Sequence, residues 1–121
     1  MPKSYLPNYS EFYEKRWFTE GIHVPKGATI KKNYLGQEIP FGTDIIFEDR
    51  DNKNLVLGIE ICEDVWTVIK PSSKLALAGA TILANLSASN EIVGKVTYRR
   101  DLVRQQSADT ISAYVYTSSG P

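Results

Sequence analysis

The chain has 121 residues with fourteen basic and fourteen acidic side chains, so its formal net charge at neutral pH is zero. It is 42% hydrophobic, 11% aromatic and 23% charged, a composition that argues against disorder and permits a buried core. The charge balance gives no nucleic-acid footprint and no polybasic membrane patch, and the length fits one domain or part of one.

The first twenty residues hold Pro2, Pro7 and an aromatic run of Tyr9, Phe12, Tyr13, Trp17 and Phe18. Phe12, Tyr13 and Arg16 stand at helical spacing, which predicts a short helix near Ser10–Arg16 with Ser10 as its N-cap. A loop follows through Gly27. Residues 33–48 read as a hairpin, with a turn at Gly36-Gln37 or Gly42-Thr43 and a β-type run from Thr43 to Phe47. Asp49 to Asn54 is a charged turn. Leu55 to Ile61 is an apolar strand with both faces buried, broken by Glu60.

After Cys62 the pattern changes. Ser72 or Ser73 is expected to cap a helix that Gly79 stops. Ala80 to Asn85 reads as a short buried strand. Thr97 to Asp109 is amphipathic, with Tyr98, Leu102 and Val103 on one side and Arg99, Arg100, Arg104 and Gln105 on the other. Ile111 to Tyr116 is the last strand. Strand, elbow, helix, strand, helix, strand is α/β layering. The longest apolar stretch, Leu75 to Leu86, is too short to span a bilayer and is interrupted by Gly79 and Asn85.

One cysteine allows no internal disulfide, and a reducing cytoplasm is the natural reading. Cys62 follows a buried strand and precedes Glu63, Asp64, Val65 and Trp66. A thiol at a strand end is lifted to the rim of the sheet, where its sulfur faces a substrate and the next backbone N–H points at a developing oxyanion. A lone cysteine is more often a structural core residue. Two carboxylates directly after the thiol make an unusual core segment, and that favours chemistry. His23, the only histidine, sits in a loop-like stretch and reads as bland; with one cysteine it builds no metal site. Activation of Cys62 therefore falls to lysine and glutamate, although Lys3 taken alone reads as a solvated terminal lysine, and Glu14 and Glu63 each as a surface charge or a salt-bridge member. On these residues alone the chain is an α/β domain and a candidate cysteine hydrolase.

Gly58-Ile59-Glu60-Ile61-Cys62-Glu63-Asp64-Val65-Trp66 resembles the nucleophile motif of the nitrilase (carbon–nitrogen hydrolase) superfamily. Lys3-Ser4-Tyr5-Leu6-Pro7-Asn8-Tyr9, running on to Trp17-Phe18, resembles its lysine motif. Leu77-Ala78-Gly79-Ala80, Ala84-Asn85-Leu86-Ser87-Ala88-Ser89, Gly94-Lys95, Tyr98-Arg99-Arg100, Arg104-Gln105-Gln106-Ser107-Ala108 and Ala113-Tyr114-Val115-Tyr116 are similar to one branch, the amidase domain of glutamine-dependent NAD synthetases.

The resemblance implies part of a four-layer α-β-β-α sandwich, with residues 1–121 as the C-terminal portion of the amidase domain. It also implies a Glu–Lys–Cys triad. Cys62 is then the nucleophile and Lys3 the triad lysine. The backbone N–H of Glu63 shares the oxyanion hole with Lys3, and Glu14 supports the lysine. Tyr9, Glu63, Ser89 and Lys95 match glutamine-contacting positions, although Ser89 and Lys95 read as easily as loop residues without a role. The triad glutamate is expected upstream of the lysine motif and has no match here; Glu60, two residues before Cys62 on a strand, does not replace it. Asp109 stands where the branch usually has a basic residue.

The implied activity is glutamine amide hydrolysis through a cysteine thioester, with ammonia passed to a downstream synthetase domain that amidates deamido-NAD. ATP and Mg are expected only in that domain, and no cofactor in this chain. A stand-alone amidase and a non-enzymatic interaction module are the alternatives. Both ends read as cut, so the chain alone is expected to be inactive and to self-associate through uncovered strands.

Overall fold

The computed structural model describes residues 1–30 and 35–119. Among these residues six strands and three α-helices follow in order: β1 (Thr29–Ile30), β2 (Ile39–Pro40), β3 (Ile46–Glu48), β4 (Val56–Ile61), β5 (Ile82–Ser87), β6 (Ala113–Ser118), with α1 (Glu14–Trp17) before β1, α2 (Pro71–Leu77) between β4 and β5, and α3 (Lys95–Thr110) between β5 and β6. Strands β3-β4-β5-β6 form one sheet, antiparallel at β3–β4 and parallel thereafter. Parallel neighbours need a crossover, and α2 and α3 supply the two. The fold is mixed α/β, as the sequence implies.

The charged turn Asp49–Asn54 forms as expected. Oδ1 of Asp49 accepts the N–H groups of Asp51 and Asn52 at 2.9 and 2.7 Å, the self-satisfying geometry that makes Asx residues turn formers. Other expectations need correction. The N-terminal helix is a single turn, Glu14–Trp17, and Ser10 lies before it with φ of +51° instead of capping it. The hairpin pairs β2 with β1, so it begins at Thr29, and the expected start at residues 33 and 34 lies outside the described residues. The β-type run begins at Ile46, not Thr43. Pro71 opens α2 with Lys70 at the N-cap, because a ring with φ already fixed and no N–H to lose suits the first helical position. Ser72 and Ser73 therefore lie inside the helix. Gly79, at φ of +110°, does end it.

The β4 strand alternates between buried Val56, Gly58 and Glu60 and half-buried Leu57, Ile59 and Ile61, so it is covered fully on one face only. The covered face carries Leu83, Asn85 and Ser87 of β5, all buried. Its apolar centre is Val56, Leu75, Ala80 and Leu83, with Ile46 and Tyr114 against them. Burying Leu75 and Leu83 contributes roughly 1.5–3 kcal/mol each. Phe47, Leu86 and Val115 stand on the opposite face and are about half exposed. In α3 Gln106 is the one buried residue among those described, and its Nε2 donates to Oγ of Ser72 and of Ser73, both at 3.0 Å. Leu102 and Val103 are half-buried and Arg100, Arg104 and Gln105 exposed, as the amphipathic assignment has it; Arg99, half-buried, and Tyr98, exposed, are the two residues that depart from it. Asp109 accepts from Gln105 Nε2 at 2.7 Å on the exposed side. Among the described residues no helix is long and apolar enough to cross a membrane.

The N-terminal segment is held against the end of β4 by one carboxylate. Asp64 lies in the 3-10 turn Cys62–Trp66, and is buried. Its side chain accepts backbone N–H groups from Tyr5 at 2.9 Å, Ile61 at 3.0 Å and Ser4 at 3.3 Å. The bond to Ile61 caps the turn, and the other two fasten the residues directly after Lys3 to it. Burial pushes the Asp64 carboxyl up, while the three N–H donors pull it down. A second tie is Gly21, whose N–H donates to Lys3 O at 2.8 Å. A Cβ at Gly21 would stand 2.6 Å from that same oxygen and 2.8 Å from Thr43 Cγ2.

Two substitutions test this attachment. Asp64→Ala strands three backbone donors, and the expected loss is about 3 kcal/mol or more in urea-induced unfolding, at 1–3 kcal/mol per orphaned buried group before relaxation. Gly21→Ala forces the backbone of Lys3 aside and should cost about 1–3 kcal/mol, the scale of overpacking. Stability unchanged in both variants would contradict the attachment.

Candidate active site

Strand β4 ends at Ile61, and Cys62 takes φ of +49°. A non-glycine residue in the left-handed region costs about 1–2 kcal/mol, and such strain persists only where the surroundings hold it. Here the holder is Asn85 on β5. Its Oδ1 accepts the Cys62 N–H at 3.2 Å, and its Nδ2 donates to Cys62 O at 3.3 Å. One amide therefore grips both backbone groups of the strained residue.

Asn85 is itself fixed by Glu60. Oε1 of Glu60 accepts from Asn85 Nδ2 at 3.4 Å and from the Tyr114 hydroxyl, and Oε2 accepts the Ser72 N–H at 2.8 Å. Burial pushes the Tyr114 phenol well above its ordinary value, and the charge of Glu60 adds to this, so Tyr114 stays a donor. A buried carboxylate is costly unless it is bonded, and both oxygens of Glu60 are.

Cys62 is half-buried, and it lines a cleft of about 690 Å³. Lys3, Glu14 and Ser87 line the same cleft, with Leu6, Phe12, Phe18 and Leu86 as its apolar wall. Lys3 Nζ donates to both carboxylate oxygens of Glu14, at 2.8 and 2.7 Å. The lysine side chain is 12% exposed and the glutamate 29%. At that burial a two-pronged ion pair fixes the ammonium in place more firmly than a surface pair does. The three residues expected to carry the chemistry, Cys62, Lys3 and Glu14, thus face one space although they are far apart in sequence. Ser87 Oγ lies 3.5 Å from the Cys62 sulfur and accepts from the Tyr116 hydroxyl at 2.7 Å.

The expected glutamine contacts fall into two groups beside this cleft. The Tyr9 hydroxyl donates to Glu63 Oε2 at 2.7 Å, and the Tyr9 ring meets Phe12 edge-on at 5.9 Å. Burial, then the bond to Glu63 and the nearby charges of Glu63 and Cys62, push the Tyr9 phenol well up, so it too remains a donor. Lys95 Nζ bonds to Asn90 Oδ1 and lies 5.4 Å from the centre of the Trp66 ring. Ser89 Oγ donates to Asn90 O at 3.5 Å. Asn90 in turn bonds to Glu11. None of the four is among the residues that line the cleft. His23 is 65% exposed and lies 3.8 Å from Glu20, away from the thiol cleft's lining.

Sequence reasoning missed Asp64, Asn85, Ser87 and Tyr116. A signal existed for two of them: Asn85 and Ser87 sit two apart in an otherwise apolar strand, which places polar groups on a buried face where each must find a partner.

No protein-family model matches the chain. The chain is 46% identical over 120 residues to the glutamine-dependent NAD(+) synthetase of Mycobacterium tuberculosis, covering 99% of this chain and 17% of that protein. It is 33% identical over 112 residues to the synthetase of Thermotoga maritima, covering 92% and 16%. A crystal structure of the glutamine-dependent NAD(+) synthetase from Cytophaga hutchinsonii superposes with a TM-score of 0.73 at 34% identity, covering 96% of this chain and 17% of that one. The Acinetobacter baumannii enzyme, at 24% identity and a TM-score of 0.65, supports the fold alone. The chain spans only about a sixth of these relatives, and over nearly its whole length it matches one segment of the glutamine-dependent NAD(+) synthetases, in sequence and in fold.

Proposed function

We propose that this segment carries the nucleophile of a glutamine amidase that supplies ammonia for ATP-dependent amidation of deamido-NAD. The observation that carries the reading is the shared cleft. Cys62, strained at the end of β4, faces the same space as a Lys3 ammonium clamped by both oxygens of Glu14.

In this reading the Cys62 thiolate attacks the side-chain amide carbon of glutamine. A C–S bond forms and the carbonyl oxygen takes negative charge, stabilised by the Lys3 ammonium and the backbone N–H of Glu63. The C–N bond then breaks and the nitrogen leaves as ammonia, taking the proton that the thiol gave up. Water cleaves the glutamyl thioester, releasing glutamate and restoring the thiol. Glu14 spends both oxygens on Lys3, and Glu60 both of its own on Asn85, Tyr114 and Ser72. Neither is therefore the shuttling base, and the base of this proposal is the glutamate that the nitrilase superfamily carries upstream of its lysine. Tyr9, Glu63, Ser89 and Lys95 are the proposed contacts for the amino and carboxylate groups of glutamine. A synthetase domain as downstream partner, self-association and a cytoplasmic location belong to the same proposal.

The test exchanges this segment into the Mycobacterium tuberculosis synthetase. Cys62→Ala should abolish glutamine-driven NAD formation and leave ammonia-driven formation intact. Lys3→Ala should lower the glutamine-driven rate by about 10²–10³-fold, the scale of losing one oxyanion donor. Lys3→Arg should not rescue it, because a planar guanidinium does not reproduce the point charge of an ammonium. Glutamine-driven turnover that survives Cys62→Ala would overturn the proposal.

A further inference from the structure

The geometry points to Ser87 as a further catalytic residue: its hydroxyl, oriented by Tyr116, donates a hydrogen bond to the Cys62 sulfur and stabilises the attacking thiolate. The inference deepens the reading of Cys62 as nucleophile and rests on it.

Ser87 is the last residue of β5, and its alternation with Leu83 and Asn85 turns it to the helix-covered face, where it is 8% exposed. It lies next to the strand end where Cys62 leaves β4, since Ile61 pairs with Leu86. Its Oγ is 3.5 Å from Sγ, within reach of a hydrogen bond to sulfur, and it lines the same cleft. The Tyr116 hydroxyl donates to Ser87 Oγ at 2.7 Å. A serine hydroxyl has a single proton. With its oxygen already accepting from the stronger acid, that proton is left for the sulfur. The Arg99 guanidinium, ion-paired with Glu91, lies 5.5 Å from the centre of the Tyr116 ring. Tyr116 acts through Ser87 and is a positioning residue.

Other charged or titratable groups face this neighbourhood as well. They are Lys3 and Glu14 across the cleft, Glu63 with Tyr9, Glu60 and Tyr114 behind Asn85, buried Asp64 in the same turn, and Lys95 on Trp66. All remain in a Ser87 variant, so a change there isolates the hydroxyl. A bond that favours the thiolate tenfold raises the reactive fraction about tenfold below the thiol's titration, yet lowers the anion's intrinsic nucleophilicity about threefold, for a Brønsted slope of 0.4–0.5. The net gain is about threefold at low pH and reverses to about a threefold loss at high pH.

The test uses the single cysteine. Iodoacetamide alkylation of Cys62 in the 121-residue chain is followed from about pH 6 to pH 10, on either side of an ordinary thiol's titration. Ser87→Ala should react about threefold more slowly at the acidic end and about threefold faster at the alkaline end, so that the two profiles cross. Ser87→Thr should restore the parent profile. Tyr116→Phe should shift the profile in the same direction by less, and the double variant Ser87→Ala/Tyr116→Phe should match Ser87→Ala alone, because the phenol acts only through the serine. Profiles that superimpose, or that differ by one factor at every pH, would overturn the inference and leave Ser87 a packing residue. The exchanged synthetase separates the two claims: Ser87→Ala should lower glutamine kcat with KM unchanged. If the exchanged enzyme with Ser87 intact has no glutamine-driven turnover, the proposed function fails, and the alkylation profiles still decide Ser87.

Discussion

Asp64 is the constraint on which the site depends. Its carboxylate gathers N–H groups from Ser4, Tyr5 and Ile61, and so joins two stretches of chain about sixty residues apart. One carries Lys3, the other Cys62. Loop-closure entropy opposes such a meeting, although only logarithmically in loop length. Three directed bonds at a buried acceptor overcome it and also fix the register. Without them neither the lysine nor the cleft has a defined position relative to the thiol. Gly21 works in the same direction from the other side, letting its own N–H approach Lys3 O where any side chain would collide.

A second layer of polar structure lies under the sheet. Glu60, Asn85, Tyr114, Ser72 and Gln106 form a connected set between the strands and the helix pair. Networks of this kind specify a unique arrangement when every member is satisfied. Here the network ends on the backbone of Cys62, whose left-handed conformation is costly without a holder. Among the described residues the apolar core cluster is small by comparison, four buried residues with two partly buried neighbours. Precision at the site therefore rests more on hydrogen bonds than on packing, which is how preorganised electrostatic sites are built.

The strand before Cys62 and the elbow after it were legible in the sequence, since the apolar run from Leu55 to Ile61, broken only by Glu60, gives way after Cys62 to two acids. The charged turn at Asp49 and the stop at Gly79 were legible for equally local reasons. Helix α3 was placed correctly, with Leu102 and Val103 half-buried and Arg100, Arg104 and Gln105 exposed; Tyr98 and Arg99 were misassigned, and buried Gln106, which bonds across to α2, was missed because hydrophobic periodicity does not report a polar group on the packed side. The caps at Ser10 and Ser72 failed because α1 is a single turn and because Pro71 takes the first helical position. Cys62 was singled out from its setting, whereas the pairing of Lys3 with Glu14 came only from resemblance. The contact between Ser87, Tyr116 and the thiol was invisible, because it requires the register of β5 against both β4 and β6.

The central claim is that Cys62 becomes acylated by glutamine. The most direct measurement is acid quenching of the exchanged synthetase in mid-turnover, followed by peptide mass analysis. The account predicts one glutamyl group on the peptide that contains Cys62, labile to hydroxylamine as a thioester is. Steady glutamine turnover with that peptide unmodified, or with the glutamyl group on another residue, would contradict it.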